Sequence, residues 1–137
     1  MDANDWYQLF NLGVGYEGTG KLQEAISEYQ KAIEISGNPR SAVALAHAYS
    51  AAGKKAEAEK ILRDLESKLK ETSASPYTMA TIYAGLGEID KAFEFLDEAY
   101  SEKSFDIYWS LKSDLLLDSL RSDPRFQDLL SRIGLKT

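Results

Sequence analysis

The sequence predicts an all-α protein, a solenoid of three helix-turn-helix pairs closed by short C-terminal helices. Three residue types recur in one register: Tyr16, Tyr49 and Tyr83; Gly20, Gly53 and Gly87; Ala25, Ala58 and Ala92. The copies stand 33 and then 34 residues apart. Between them, apolar residues recur every three or four positions, which indicates helices rather than strands. A period of this length is typical of stacked repeats that contain two helices each.

The first pair of helices is expected in residues 6–38. Apolar residues run at helical spacing from Trp6 to Tyr16, and a second amphipathic stripe runs from Leu22 to Ile33 before Gly37. The small residues Gly13 and Ala25 face each other in this reading. They let the two helices approach closely, and a larger residue there would cost roughly 1–3 kcal/mol.

The second and third pairs are expected in residues 39–72 and 73–104. Asn38 and Pro39 open the third helix as N-cap and first-turn residue, and the fourth covers roughly Glu57 to Lys70. Ser73 or Ser75 can cap the fifth helix ahead of Pro76. The glycines Gly20, Gly53 and Gly87 each end the first helix of a pair in a left-handed conformation.

The apolar cluster that runs from Phe105 to Leu111 is too short for a full repeat helix, and residues 105–137 are interpreted as capping helices of the same single domain. Asp114 can start one turn, and Asp123 can cap a last helix that has Pro124 at its first position. A repeat array has to close its apolar end, which favours a cap. The alternative is an exposed surface around Trp109 for a partner or a second copy.

These residues resemble the tetratricopeptide repeat family, whose pattern combines L-G-x2-Y with A-x3-F at a period of about 34 residues. The first repeat fits best, with Leu12-Gly13 before Tyr16 and Ala25 before Tyr29. Leu9 stands at the usual Trp position and Gly37 at the usual Pro. The resemblance covers residues 6 to about 104 and implies a right-handed superhelix. The segment from Leu117 to Leu135 also resembles the ending of many bacterial multi-repeat proteins of this family.

The stretch GVGYEGTGKL fits two nucleotide-binding patterns, and both fail on chemistry. A P-loop needs Ser or Thr after its lysine to ligate Mg²⁺, and Leu22 stands there. Both patterns also require a preceding strand, whereas residues 6–16 have helical spacing. We therefore expect no cofactor. The repeat register accounts for Gly13 and Gly20 but not for Gly15 and Gly18.

Composition favours a soluble, non-catalytic and cytoplasmic protein. The net charge of −6 argues against nucleic acid, and no apolar run is long enough for a membrane span. The chain has no cysteine and a single histidine, His47, so no thiolate nucleophile and no Cys- or multi-His metal site is available. We interpret His47 as a half-exposed polar residue rather than a general base.

The resemblance implies that the first helices of successive pairs line a concave peptide-binding groove. Mapped onto this chain, the groove residues are Tyr7, Phe10, Asn11, Val14, Glu17, Arg40, Val43, His47, Ser50, Tyr77, Thr78 and Thr81. The carboxylate clamp of some family members is absent, because Phe10, Val14, Ala44, Ala74 and Thr78 stand at its positions.

The expected function is protein–protein interaction, with a peptide or helix of a partner held by aromatic and aliphatic contacts. One alternative interpretation is that Phe10 and Val43 only pack between repeats. Two alternative functions are self-association as a homodimer and a regulatory fragment of a larger bacterial protein. The identity of the partner is not encoded in any motif of the sequence.

Overall fold

The computed structural model describes residues 5–72, 74–103 and 105–134, without the side chains of Phe105, Asp106 and Trp109. Within these residues the chain forms α-helices and 3₁₀ structure but no strand, so the predicted all-α class is confirmed. The elements are α1 Trp6–Gly18, α2 Leu22–Ser36, α3 Pro39–Ala51, α4 Lys55–Lys70, α5 Pro76–Leu86, α6 Ile89–Ser101, α7 Phe105–Ser110, the 3₁₀ helix Leu115–Leu120 and α8 Pro124–Arg132.

In each of the three pairs, the same kind of turn joins the first helix to the second. This turn explains why a tyrosine and a glycine recur at a fixed spacing. The glycines that follow α1, α3 and α5 all have positive φ, of 80°, 82° and 77° for Gly20, Gly53 and Gly87. The next backbone N–H donates to the carbonyl of the tyrosine five residues earlier. These three bonds are Lys21 to Tyr16 at 2.9 Å, Lys54 to Tyr49 at 2.8 Å and Glu88 to Tyr83 at 3.0 Å. This is the Schellman ending of a helix, used three times.

Polar side chains cap four of the helices at their N-termini. Asn38 accepts from the backbone N–H of Arg40 at 2.9 Å, and Ser75 accepts from that of Thr78 at 3.2 Å. The carboxylates of Asp114 and Asp123 cap the 3₁₀ helix and α8 in the same way. The predicted starts at Asn38, Ser75, Asp114 and Asp123 are confirmed, while Ser73 lies outside the described residues. The helix α4 begins at Lys55, slightly ahead of the predicted Glu57.

The chain divides into two compact units, and the first covers Met1–Ser67. In this unit α1 packs against α2, α2 packs against α3, and α1 also contacts α3. The crossing of α1 and α2 is close at Gly13, where an added Cβ would lie 2.5 Å from the ring of Tyr29. Tyr29 and Ala25 are fully buried there. The predicted need for a small residue at Gly13 is therefore confirmed, but the atoms nearest to it belong to the ring of Tyr29 and not to the expected Ala25.

The second unit covers Lys68–Thr137. Here α5 packs against α6 and against the 3₁₀ helix, and α6 contacts α7. The side chain of Ser119 donates to the carbonyl of Ala84 at 3.0 Å, which ties the 3₁₀ helix to α5. The core of this unit takes apolar side chains from the third pair and from the C-terminal segment, including Ile82, Leu96, Leu117, Leu120, Phe126 and Leu129.

Candidate functional site

Four of the twelve predicted groove residues are buried, which narrows the candidate surface. Phe10 is 3% exposed, and Val43, Tyr77 and Thr81 are each 2% exposed. A partner that leaves the structure unchanged cannot rest on these four side chains. The other eight residues are exposed or half-buried as whole residues, although the side chain of Glu17 is only 7% exposed: Tyr7, Asn11, Val14, Glu17, Arg40, His47, Ser50 and Thr78.

Phe10 organises the part of the candidate surface that belongs to the first unit. Its ring stacks on the ring of Tyr7 at a centroid distance of 6.3 Å, and the guanidinium of Arg40 lies 5.0 Å from its centroid. The ring of Tyr29 on α2 also lies against Phe10, at a centroid distance of 5.9 Å. The ring of Phe10 thus contacts both the aromatic ring of Tyr7 on α1 and the guanidinium of Arg40 on α3. Its packing role, one of the two alternatives in the sequence, is the one observed.

Tyr7 is the most exposed large apolar side chain of this cluster, at 55%. Its ring stacks on that of Phe10 and lies edge to face with the ring of Trp6, at a centroid distance of 5.5 Å. Aromatic side chains held in one orientation lose little entropy on binding, which makes them frequent anchors in protein interfaces. Asn11 and Ser50 add exposed polar groups on the same two helices, α1 and α3.

Glu17 of α1 links α1 to both α2 and α3. Its carboxylate accepts a hydrogen bond of 2.9 Å from the hydroxyl of Tyr29 on α2. The second oxygen is paired with Nδ1 of His47 on α3. The side chain of Glu17 is only 7% exposed, whereas that of His47 is 30% exposed. Burial and the neighbouring Glu17 carboxylate raise the pKa of Tyr29, so its hydroxyl remains a donor at every physiological pH.

The third-repeat candidates lie in the second unit, and the C-terminal segment meets them there. The hydroxyl of Tyr77 donates to the carboxylate of Asp114 at 2.6 Å in a buried setting. Thr81 donates to the carbonyl of Thr78 at 2.7 Å, a bond within α5. The side of α5 that carries Tyr77 is therefore covered by the segment around the 3₁₀ helix. Of the third-repeat candidates only Thr78 keeps partial exposure.

The pairing of Tyr77 with Asp114 and the cation over Phe10 were not predicted from the sequence. Both join residues from different helices, and neither follows from the period of apolar residues on one helix. A weak signal was present for Asp114, because a carboxylate that caps one helix has a second oxygen available for another donor. For Arg40, a cation 30 residues from Phe10 in the sequence and on another helix leaves no comparable pattern.

The described residues contain neither a metal-binding cluster nor a membrane-spanning helix. No group of three or more His, Cys, Asp or Glu side chains is arranged to hold a metal ion in that part of the chain. In the same residues, no helix combines the length and the apolar character that crossing a bilayer requires.

Comparison with known proteins identifies the family. Two profiles of the tetratricopeptide repeat match the chain, one over residues 18–74 and the other over residues 77–105. They cover α2 to α6 and the turns at Gly53 and Gly87 that repeat the Schellman geometry. No curated protein matches the chain significantly. Sequence register, repeated turn geometry and both profiles agree, and the chain belongs to the tetratricopeptide repeat family.

Proposed function

We propose that the first unit binds a peptide or helix of a partner protein on the surface formed by Tyr7, Asn11, Val14, Arg40, His47 and Ser50, here called the α1–α3 surface. Tetratricopeptide repeats are in general protein interaction modules. The observation that carries the proposal is the exposed ring of Tyr7, held on Phe10 beside the guanidinium of Arg40. An apolar anchor next to polar and cationic groups suits a peptide with one large apolar side chain.

The proposal is tested in two steps. Affinity capture from the native host supplies a partner, and calorimetry with the purified partner then compares variants. We expect Tyr7→Ala to weaken binding at least about tenfold, because an aromatic anchor is worth on the order of 1.4 kcal/mol or more. Tyr7→Phe keeps the ring and the stacking on Phe10, so it should bind nearly as well as the wild type.

A matched control separates this surface from the rest of the molecule. Gln23 is exposed on α2, outside the α1–α3 surface, and Gln23→Ala should leave the affinity unchanged. Circular dichroism of Tyr7→Ala should match the wild type, since the side chain is more than half exposed. Undiminished affinity of Tyr7→Ala, or equal losses in Tyr7→Ala and Gln23→Ala, would place the binding site elsewhere.

We also propose that the protein is a non-catalytic scaffold in the bacterial cytoplasm. Support comes from the pairing of the single histidine with Glu17, which gives His47 a role in the fold, and from the lack of cysteine. The net charge of −6 supports a protein partner over a nucleic acid.

A further inference from the structure

The contact between Glu17 and His47 differs from the other ion pairs of the described residues in how its members are buried. Most of those pairs lie on exposed side chains, where solvent reduces their worth. Glu17, by contrast, is nearly buried and shares its carboxylate between α2 and α3. A carboxylate removed from water is costly unless its partners compensate the charge. The protonation state of His47 therefore decides how well that charge is compensated.

Two other groups act on this network from the packed helices. Tyr29 of α2 donates its hydroxyl to Glu17, and burial together with that carboxylate raises its pKa, so it does not change charge near neutral pH. Arg40 of α3 lies close enough to act electrostatically on Tyr29 and keeps its positive charge at every accessible pH. Among these groups, only the imidazole changes its charge between about pH 5 and pH 8.

We propose that the Glu17–His47 contact is a pH-sensitive clasp that holds α1 more firmly against α3 when the imidazole carries a proton. With a charged imidazole the contact is an ion pair in a largely dry setting. With a neutral imidazole it is a hydrogen bond at most, and the buried carboxylate keeps less compensation. The clasp is a property of the fold and needs no bound partner.

The direction of the pH dependence follows from proton linkage. The folded unit, where Glu17 faces the imidazole, binds the proton of His47 more tightly than the unfolded chain does. Stability is then greatest on the acidic side of the imidazole titration and falls as the pH rises through it. His47 is the only histidine in the chain, so no second imidazole contributes in this range.

The test uses the full chain at constant ionic strength. We expect the melting temperature at pH 6 to exceed that at pH 8 by roughly 2–5 °C. His47→Gln can still donate a hydrogen bond to Glu17 but does not titrate, and it should lose this difference.

Tyr29→Phe is the matched control for the network. It removes the other donor to Glu17 while the imidazole stays, so it should lower the melting temperature at both pH values and keep their difference. Equal melting temperatures of the wild type at pH 6 and pH 8, or a difference that survives undiminished in His47→Gln, would overturn the proposal.

Amide hydrogen exchange of the wild type gives a second measurement that does not depend on any variant folding. After correction for intrinsic rates, amides of α1 near Glu17 should be better protected at pH 6 than at pH 8, while those of α6, in the other unit, should not change. Equal protection of α1 at both pH values contradicts the clasp as firmly as an unchanged melting temperature.

Discussion

At the scale of single residues, Gly15 and Gly20 lie close together in the sequence and meet different demands. Gly20 has a φ of +80°, where a side chain is strained, and its N–H and that of Lys21 close the Schellman turn. Gly15 lies inside α1 without a positive φ, and an added Cβ would meet nothing within 4 Å. The same open space surrounds Gly18. Neither Gly15 nor Gly18 is required by packing within the described structure.

This contrast gives a prediction with an internal control. Gly15→Ala should raise the free energy of unfolding by roughly 0.5–1 kcal/mol, because alanine favours the helix and restricts the unfolded chain. Gly20→Ala should lower it by roughly 1 kcal/mol, because alanine is strained at positive φ. Urea denaturation of both variants and the wild type measures the two changes. Destabilisation by Gly15→Ala would reveal a close contact of α1 that the fold does not show.

Single residues also show which features of the fold and of the candidate site could be predicted from the sequence. The repeat-defining glycines and tyrosines were predictable, since they serve a turn that recurs three times. The burial of Tyr77 was not predictable, and that of Phe10 was only one of two alternatives. A first helix of a pair has adjoining faces for the groove and for the neighbouring helix, and one period cannot separate them. Tyr77 is buried with Asp114, a partner 37 residues away in the sequence.

At the scale of elements, the C-terminal helix α8 is linked to α6 by two copies of one arrangement. Arg125 reaches Asp90 and Arg132 reaches Asp97, both at 3.0 Å. Each guanidinium also lies over a ring of α6, Phe93 at 4.5 Å and Tyr100 at 5.3 Å. Because the residue numbers rise together on both helices, α8 runs parallel to α6. Helix starts such as Asp123 were predictable from local chemistry, whereas these links join distant segments.

The start of α8 leads to a prediction on acid pH. Hydrogen bonds from the side chain and then from the backbone of Arg125 lower the pKa of Asp123 below its ordinary value of 3.8. A lowered pKa means that the stabilising contribution is complete above the ordinary value and is lost as the pH falls through the lower one. Hydrogen-exchange protection of α8 should therefore hold from pH 7 to about pH 4 and decline only below that.

Asp123→Asn tests the assignment of that decline to this carboxylate. Asparagine still offers an oxygen to the N–H of Arg125 but has no charge to titrate. The variant should start with weaker protection of α8 and lose less of it on acidification than the wild type. A decline of wild-type protection that begins well above pH 4, or an identical decline in Asp123→Asn, contradicts the role of Asp123.

At the scale of the whole molecule, the all-α class and the count of helix pairs followed from a single periodic signal. A repeat of 33–34 residues constrains neighbouring helices only, so each pair could be predicted without knowledge of the others. The C-terminal segment has no copy elsewhere in the chain. The packing of this segment against α5 depends on individual side chains such as Tyr77, Asp114 and Ser119. No repeated sequence pattern predicts these contacts.

The net charge makes it possible to distinguish non-specific association from a specific homodimer at neutral pH. With a charge of −6, copies repel one another weakly, so non-specific association should be least at pH 7 and greatest near the pI of about 4.8. We expect light scattering at pH 7 to give 15.3 kDa at every concentration up to several hundred micromolar. A mass that approaches twice this value as concentration rises at pH 7, where charge opposes association, would instead support the homodimer. Repeating the series with Tyr7→Ala then tells whether the α1–α3 surface forms that contact, because loss of the exposed ring would return the protein to a monomer.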